Sequence, residues 1–284
     1  MISALNKQTD GTIELTITIP KKKVKVAYDL ALKRLAKDTE INGFRKGKAP
    51  LKKVEEKVGK AKVHEEVLKF LVPEVYLETL REQKIQPIIN PQVSITSIEE
   101  NKDWQIKAVT CELPKIELGD YQAELKKALA SEKIWVPGKD KEEKVQEKES
   151  ERLRKIFQIL LETVKIKIPE LLIQEEVNRM LSRLIDQTER LGLTVEQYLA
   201  SIGKTSDQIR QEYRQQAEES LRLELILSAI ADAEDIKITE KEVQEMINAT
   251  PDEKAKEAMQ TPTQQAYIKQ LLRKRKAIDK LTKL

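Results

Sequence analysis

Cysteine and histidine are almost missing from this sequence: Cys111 and His64 each stand alone in 284 residues. One thiol cannot close an internal disulfide, and one cysteine with one histidine supplies no zinc-binding set. Neither residue has a triad partner beside it. Cys111 lies in a strand-like run, which points to a buried, inert thiol rather than a nucleophile. His64 opens a helical stretch followed by Glu65 and Glu66, the setting of a structural histidine at or near the surface. No metal and no cofactor is expected. Aromatic residues are also scarce, 4% against 35% charged. That balance points to long solvated helices rather than one compact globule. No stretch reaches the ~18 consecutive apolar residues of a membrane span. Met1–Asp10 is mixed and polar, without a secretory pattern. A soluble, cytoplasmic protein is expected.

What is present is positive charge at one end. The net charge is +4, yet residues 1–62 hold 16 Lys/Arg and 7 Asp/Glu, a balance of +9 that leaves −5 for the remainder. A basic end on a weakly acidic body suits docking of that end on a polyanion. Within it lies Gly43-Phe44-Arg45-Lys46-Gly47-Lys48-Ala49-Pro50, one large aromatic and three cations without helix or strand period. Glycine admits backbone angles that other residues avoid, and Ala49 before Pro50 is pushed towards an extended conformation. One outcome is a tight loop displaying Phe44, Arg45 and Lys46 to RNA or to a protein patch beside RNA. The other is an ordinary basic turn whose Phe44 folds back onto the core.

In chain order, Ile13, Leu15, Ile17 and Ile19 alternate with Glu14, Thr16 and Thr18, a half-buried strand. Residues 21–38 carry apolar positions at helical spacing. Pro50 and Gly59 bracket a short helix. A longer one is expected over 61–83, with Val63, Val67, Phe70/Leu71, Val75 and Leu80 inward and a kink at Pro73. Strands are expected over 92–99 and 103–113, although Ile106, Val109 and Cys111 do not share one parity. From Glu142 the pattern is helix after helix. One stripe runs through Val145, Leu153, Ile156, Leu160 and Val164, and the next through Ile173, Val177, Leu184, Thr188 and Leu191. A short helix opens with the capping box Thr194/Gln197, and a long one spans Ser206–Glu234. Another capped helix opens at Thr239/Glu242, and Tyr267, Leu271, Ile278 and Leu281 mark a last basic helix. Several long helices with narrow apolar stripes suggest an open bundle with protruding arms.

The eight residues 43–50 resemble the ribosome-docking signature of trigger factors, bacterial chaperones that meet new chains at the tunnel exit. Val54, Val58-Gly59, Val63, Glu65-Glu66-Val67 and the turn at 85–91 extend the similarity. Ile168-Pro169-Glu170-Leu171-Leu172-Ile173, Gln197-Tyr198-Leu199 and Leu225–Ala231 resemble that family's helical C-terminal domain. The resemblance implies an α+β ribosome-binding domain over residues 1–115, with a small antiparallel sheet and helices. It implies an all-α, arm-bearing substrate-binding domain over 141–284. Between them, 116–140 would be a linker in place of the usual domain resembling FK506-binding prolyl isomerases, and Trp135 would pack on a helix or hinge that linker. The implied docking residues are Gly43, Phe44, Arg45, Lys46, Gly47, Lys48 and Pro50. Their partner would be the large ribosomal subunit near the tunnel exit, protein and rRNA. Unfolded nascent polypeptides would be the clients, with a weak homodimer off the ribosome. Two other classes stay open: a peptidyl-prolyl isomerase, and a ribosome-independent holdase of the SurA type.

Overall fold

The computed structural model describes residues 2–45, 47–99, 102–130 and 142–284, with Ile2 and residues 142–148 as backbone only. The chain divides into two compact units, Met1–Leu113 and Pro114–Leu284.

The first unit is built on strand β2 (Thr12–Ile19), preceded by β1 (Ile2–Lys7). With β3 (Gln92–Ser97) and β4 (Trp104–Cys111) they form a four-stranded antiparallel sheet in the order β1-β2-β4-β3. Ile13, Leu15, Ile17 and Ile19 are all fully buried. Their register pairs Leu15 with Ala108, Ile17 with Ile106 and Ile19 with Trp104. A slip of one residue would turn that whole set to the opposite face, so the pairing is strongly fixed. Helices α1 (Lys21–Asp38), α2 (Leu51–Val58) and α3 (Lys60–Gln83) complete the core. Ala27, Ala31 and Ala36 on the inner side of α1 are small, and Val63, Val67, Leu71 and Val75 supply the matching stripe on α3. Pro73 lies inside α3 and is exposed. Phe70 is only half-buried; the Arg34 guanidinium sits 4.9 Å from its ring centroid.

Two features of this sheet differ from expectation. Residues 2–7 form a strand, although their sequence shows no alternation. β1 is an edge strand whose residues 4–7 are exposed, so its register is set by pairing with β2 and leaves no hydrophobic pattern to read. In β4 the inward parity belongs to Trp104, Ile106, Ala108 and Thr110. Cys111 is buried on the other parity, opposite Thr12, where the turn at 8–12 closes.

The second unit is helical. Residues 116–140, expected as a linker, include α4 (Tyr121–Ala130), whose Tyr121, Leu125 and Leu129 are buried in this unit's largest cluster. Residues 131–141, Trp135 among them, lie outside the described residues, as does the side chain of Val145. Then come α5 (Glu142–Thr163), α6 (Glu170–Arg190), α7 (Val195–Ser201) and α8 (Ser206–Ala233). The chain ends in α9 (Glu240–Asn248), α10 (Glu253–Met259) and α11 (Pro262–Leu281). Capping boxes form at Thr194/Gln197, at Thr205/Gln208 and at Thr239/Glu242. Helix α10 falls where only punctuation at Thr250-Pro251 and Thr261-Pro262 was expected; it buries no residue, so it has no stripe to reveal it.

No single core serves this unit. One cluster joins α4, α5, the end of α8 and α11; a second joins α6 to the middle of α8. A third gathers Leu184, Leu199 and Ile209 where α6, α7 and α8 meet, and a fourth lies between α9 and α11. Several side chains assigned inward by periodicity therefore face out: Leu191 is 70% exposed, Tyr267 is 66% exposed, and Leu271 is also exposed. On α11 the buried positions are Ile268, Ala277 and Leu281. A thin bundle has too few neighbours to cover every apolar position.

Ile226→Ala, at a fully buried site, is expected to cost ~2–5 kcal/mol in urea unfolding. Tyr267→Ala should stay within about 0.5 kcal/mol. The cap of α9 gives a pH signature. Bonds from Lys276, then from the Thr239 backbone N–H and hydroxyl, hold the Glu242 carboxyl down to about 2 from 4.5. A depressed carboxylate stabilises the fold above its unfolded value and loses that contribution as pH falls. The α9 amides should therefore lose hydrogen-exchange protection between pH 4.5 and 2, and Glu242→Gln should flatten that dependence.

Candidate docking site

The loop between α1 and α2 is held at both ends and presented in the middle. Helix α1 stops at Thr39, whose extended backbone donates its N–H to the Leu35 carbonyl at 2.9 Å. The chain then reverses through Ile41–Phe44, an isolated antiparallel bridge closed by Phe44 N–H donating to Ile41 O at 3.0 Å. Gly43 sits in this turn at φ +85°, and a Cβ there would meet nothing within 4 Å. Its requirement is backbone angle, not space. Gly47, at φ +79°, donates its N–H to the Ala36 carbonyl at 2.9 Å, tying the loop back to the last turn of α1. Lys48 N–H donates to Arg45 O at 3.0 Å. Pro50 is the N-cap of α2, and its carbonyl accepts from Lys53 and Val54.

Anchoring falls to residues to which sequence reasoning gave no such role. Ile41, Ala49 and Leu51 pack against the first unit's core. With those as roots, Phe44 is left 38% exposed, and Arg45 and Lys48 are exposed beside it. The Lys53 ammonium lies 5.0 Å from the Phe44 ring centroid. This cation–π contact orients the ring without covering it, and was foreshadowed only by Lys53 falling in the first turn after Pro50. Of the seven expected docking residues, Gly43, Phe44, Arg45, Gly47, Lys48 and Pro50 come together here, and Lys46 lies outside the described residues. The alternative in which Phe44 folds into the core does not occur. Around the loop, Lys37, Lys52, Lys53 and Lys57 are also exposed, so the field is positive beyond the three cations of the motif.

The helical unit offers a different surface. At the bend formed by the end of α6, α7 and the start of α8, Leu191, Leu193 and Ile202 are exposed around the small cluster of Leu184, Leu199 and Ile209. A cleft of about 590 Å³ lies between α6 and α8, with Ile173 and Val177 on its wall and Arg214 at its edge. Arg214 forks onto the Glu170 carboxylate, which is held below its usual range mainly by that bond. Apolar surface ringed by ion pairs can take extended polypeptide through many small contacts with few directional bonds.

Nothing in this set is arranged for covalent chemistry. Cys111 is buried, and burial, reinforced by the Asp10 charge, pushes its thiol up to about 11. His64 is half-buried between aromatic rings of the first unit. Among the described residues, no group of three His, Cys, Asp or Glu could hold a metal ion, and no helix is long and apolar enough to cross a membrane.

Comparison with known proteins agrees with this architecture. The family model for bacterial trigger factor protein matches residues 1–149, and that for the trigger factor C-terminus matches 138–283. Trigger factor of Staphylococcus epidermidis is 35% identical over 122 residues, 43% of this chain and 28% of the relative. Trigger factor of Staphylococcus aureus strain JH9 is 38% identical over 108 residues, 38% of this chain and 25% of the relative. The matched stretch thus spans little more than a quarter of those relatives. A solved structure, described as concerning promiscuous substrate recognition in folding and assembly activities of the trigger factor chaperone, superposes with a TM-score of 0.69 at 14% identity. That superposition covers 100% of this chain and 99% of the other, and shows a shared fold. On these matches the chain belongs to the bacterial trigger factor family.

Proposed function

We propose that this protein is a cytoplasmic, ribosome-associated chaperone that docks beside the polypeptide exit tunnel and shields emerging chains by weak apolar contacts. Family membership supports this reading, but the observation that carries it is the 41–50 loop. Its apolar roots are packed, its aromatic tip is exposed with the Lys53 ammonium beside it, and Arg45 and Lys48 are exposed on the same loop. Phe44 anchors against protein, while Arg45, Lys46 and Lys48 meet phosphates of the large subunit. Gly43, Gly47 and Pro50 fix the backbone that presents them.

The helical unit does the holding. Its contacts with a client are individually weak, and tethering the unit where chains emerge raises the local client concentration enough for them to suffice. Release is then fast, as a folding chain requires. No isomerase step belongs to this role. Between Leu113 and α5 the described residues hold one ten-residue helix, and the stretch 114–141 is too short for a sheet walling a proline pocket. No cofactor is needed.

Phe44→Ala/Arg45→Ala/Lys46→Ala should leave the melting curve unchanged and abolish co-sedimentation with ribosomes at low salt; unchanged pelleting would place docking elsewhere. Leu191→Ser/Leu193→Ser/Ile202→Ser should weaken suppression of aggregation of a denatured client severalfold while pelleting with ribosomes persists. Full suppression by that variant would remove the bend from the client surface.

A further inference from the structure

The first unit's sheet ends on an edge that docking through Phe44 does not use. Strand β3 has β4 as its one strand neighbour among the described residues, which leaves the backbone N–H and C=O groups on its other side unpaired. Such an edge is a template for a further strand, and folded chains guard against that with charge, proline or a bulge. Here charge is missing. Residues 85–98 contain no Asp, Glu, Lys or Arg, the longest such run in a chain that is 35% charged. Pro91 lies before the strand, outside its pairing, and the irregularity between Ile95 and Ser97 breaks only the far end. Residues 92–95 remain as a regular, neutral edge, paired one for one with residues 106–109 of β4 and exposed throughout.

The two faces beside this edge differ. Val93 stands opposite Ala108 and Ile95 opposite Ile106, so both project to the side on which the core packs. Ala108 and Ile106 are fully buried there, as are Leu15 and Ile17 one strand further in. Val93 is nevertheless 40% exposed and Ile95 48%, so the layer that covers β2 and β4 does not reach across β3. Gln92 and Ser94 project to the other face, opposite Val109 and Lys107, and the Lys107 ammonium is itself paired with Glu14 at 2.7 Å. A strand laid against β3 would meet apolar neighbours on one face and uncharged polar ones on the other. Its side chains would lie about 5 Å from those of β3.

Two occupants have the backbone to fill such an edge, a second copy of this chain and an extended segment of another polypeptide. Size decides between them. Four residues at about 3.3 Å each make an edge about 13 Å long. Pairing over that length buries on the order of a few hundred Å² per partner, against the ~800 Å² per partner of a stable interface. Such an edge does not hold a dimer together by itself, whereas one short segment held briefly needs no more. We infer that β3 takes up an extended segment of unfolded polypeptide, with apolar and polar residues alternating, as a fifth strand of the sheet. Main-chain hydrogen bonds supply affinity that tolerates many sequences, and the Val93/Ile95 face supplies the preference for alternation. The inference rests on the chaperone reading for the source of its occupant. It adds a client contact in the first unit to those proposed for the helical one.

The probe is fluorescein-labelled Thr-Val-Thr-Val-Thr-Val-Thr, read by anisotropy with the full-length protein. On binding, the β3 amides that point away from β4 should gain hydrogen-exchange protection. N-methylation of every peptide amide keeps the side chains and removes the donors, and should weaken binding roughly tenfold. The block order Val-Val-Val-Thr-Thr-Thr-Thr should bind more weakly as well. Val93→Lys/Ile95→Lys, at two exposed positions, should keep the melting curve and lose the β3 protection. Should that variant prove unstable, the three peptides on the unaltered chain still decide. Equal affinity for the N-methylated or the block peptide overturns the assignment, as does protection confined to the helical unit. A species that sediments as a dimer, with these β3 amides protected before peptide is added, would give the edge to a second copy and overturn it too. The variant Leu191→Ser/Leu193→Ser/Ile202→Ser should leave the β3 protection in place, so the two client surfaces fail separately.

Discussion

Helix α8 sets the terms for the whole second unit. At 28 residues it extends about 42 Å, longer than any one small cluster can cover. It is held instead at three stations: Ile209 among α6 and α7, Ala217 and Leu221 against α6, and Ile226 to Ala231 against α4, α5 and α11. Each station buries only what its few neighbours reach. Apolar positions between and beyond them remain in water, and this is how a stably folded protein comes to carry exposed apolar surface. A rounder bundle would have buried them. Stability at the bend is supplied in part by hydrogen bonds rather than by burial, since two capping boxes open α7 and α8 within a dozen residues.

The first unit solves the opposite problem. Its sheet and helices pack densely around β2, and that rigidity allows a short loop to hold an aromatic ring at the surface. Ile41, Ala49 and Leu51 fix the loop's ends, Gly47 N–H ties its middle to α1, and Lys53 steadies the ring. Ordering is thereby completed before any partner arrives, which lowers the entropic cost of association. Most of the chain's excess positive charge lies in the same unit, so the long-range field and the exposed loop belong to one compact body.

Much of this was legible from the chain alone, where local chemistry dictates the outcome. The alternation from Ile13 to Ile19, the helix over 21–38, the Pro50–Gly59 bracket and the boxes at Thr194 and Thr239 all depend on neighbours in sequence. The exposed loop between α1 and α2 was legible for the same reason: its glycines and proline leave few alternatives. What stayed hidden depends on distant partners. β1 takes its register from β2, α10 buries nothing, and α4 lies in a stretch that looked like linker until its three buried side chains met α5 and α8. Leu191 and Tyr267 have helical spacing but no neighbour to cover them. The aromatic series of Tyr28, His64 and Trp104 joins three elements spread over more than seventy residues, beyond the reach of any spacing rule.

The chain's one thiol has a consequence for a protein that would handle unfolded clients. Newly made chains present reduced, accessible cysteines, and a carrier with a reactive thiol of its own would be trapped in mixed disulfides whenever conditions turned oxidising. Cys111 is closed off at the end of β4, and its ionisation is pushed up to about 11. Almost no thiolate is then present near neutral pH, and exchange requires thiolate. Any grip on a client proposed for this protein would then be purely non-covalent, and letting go would need no reductant.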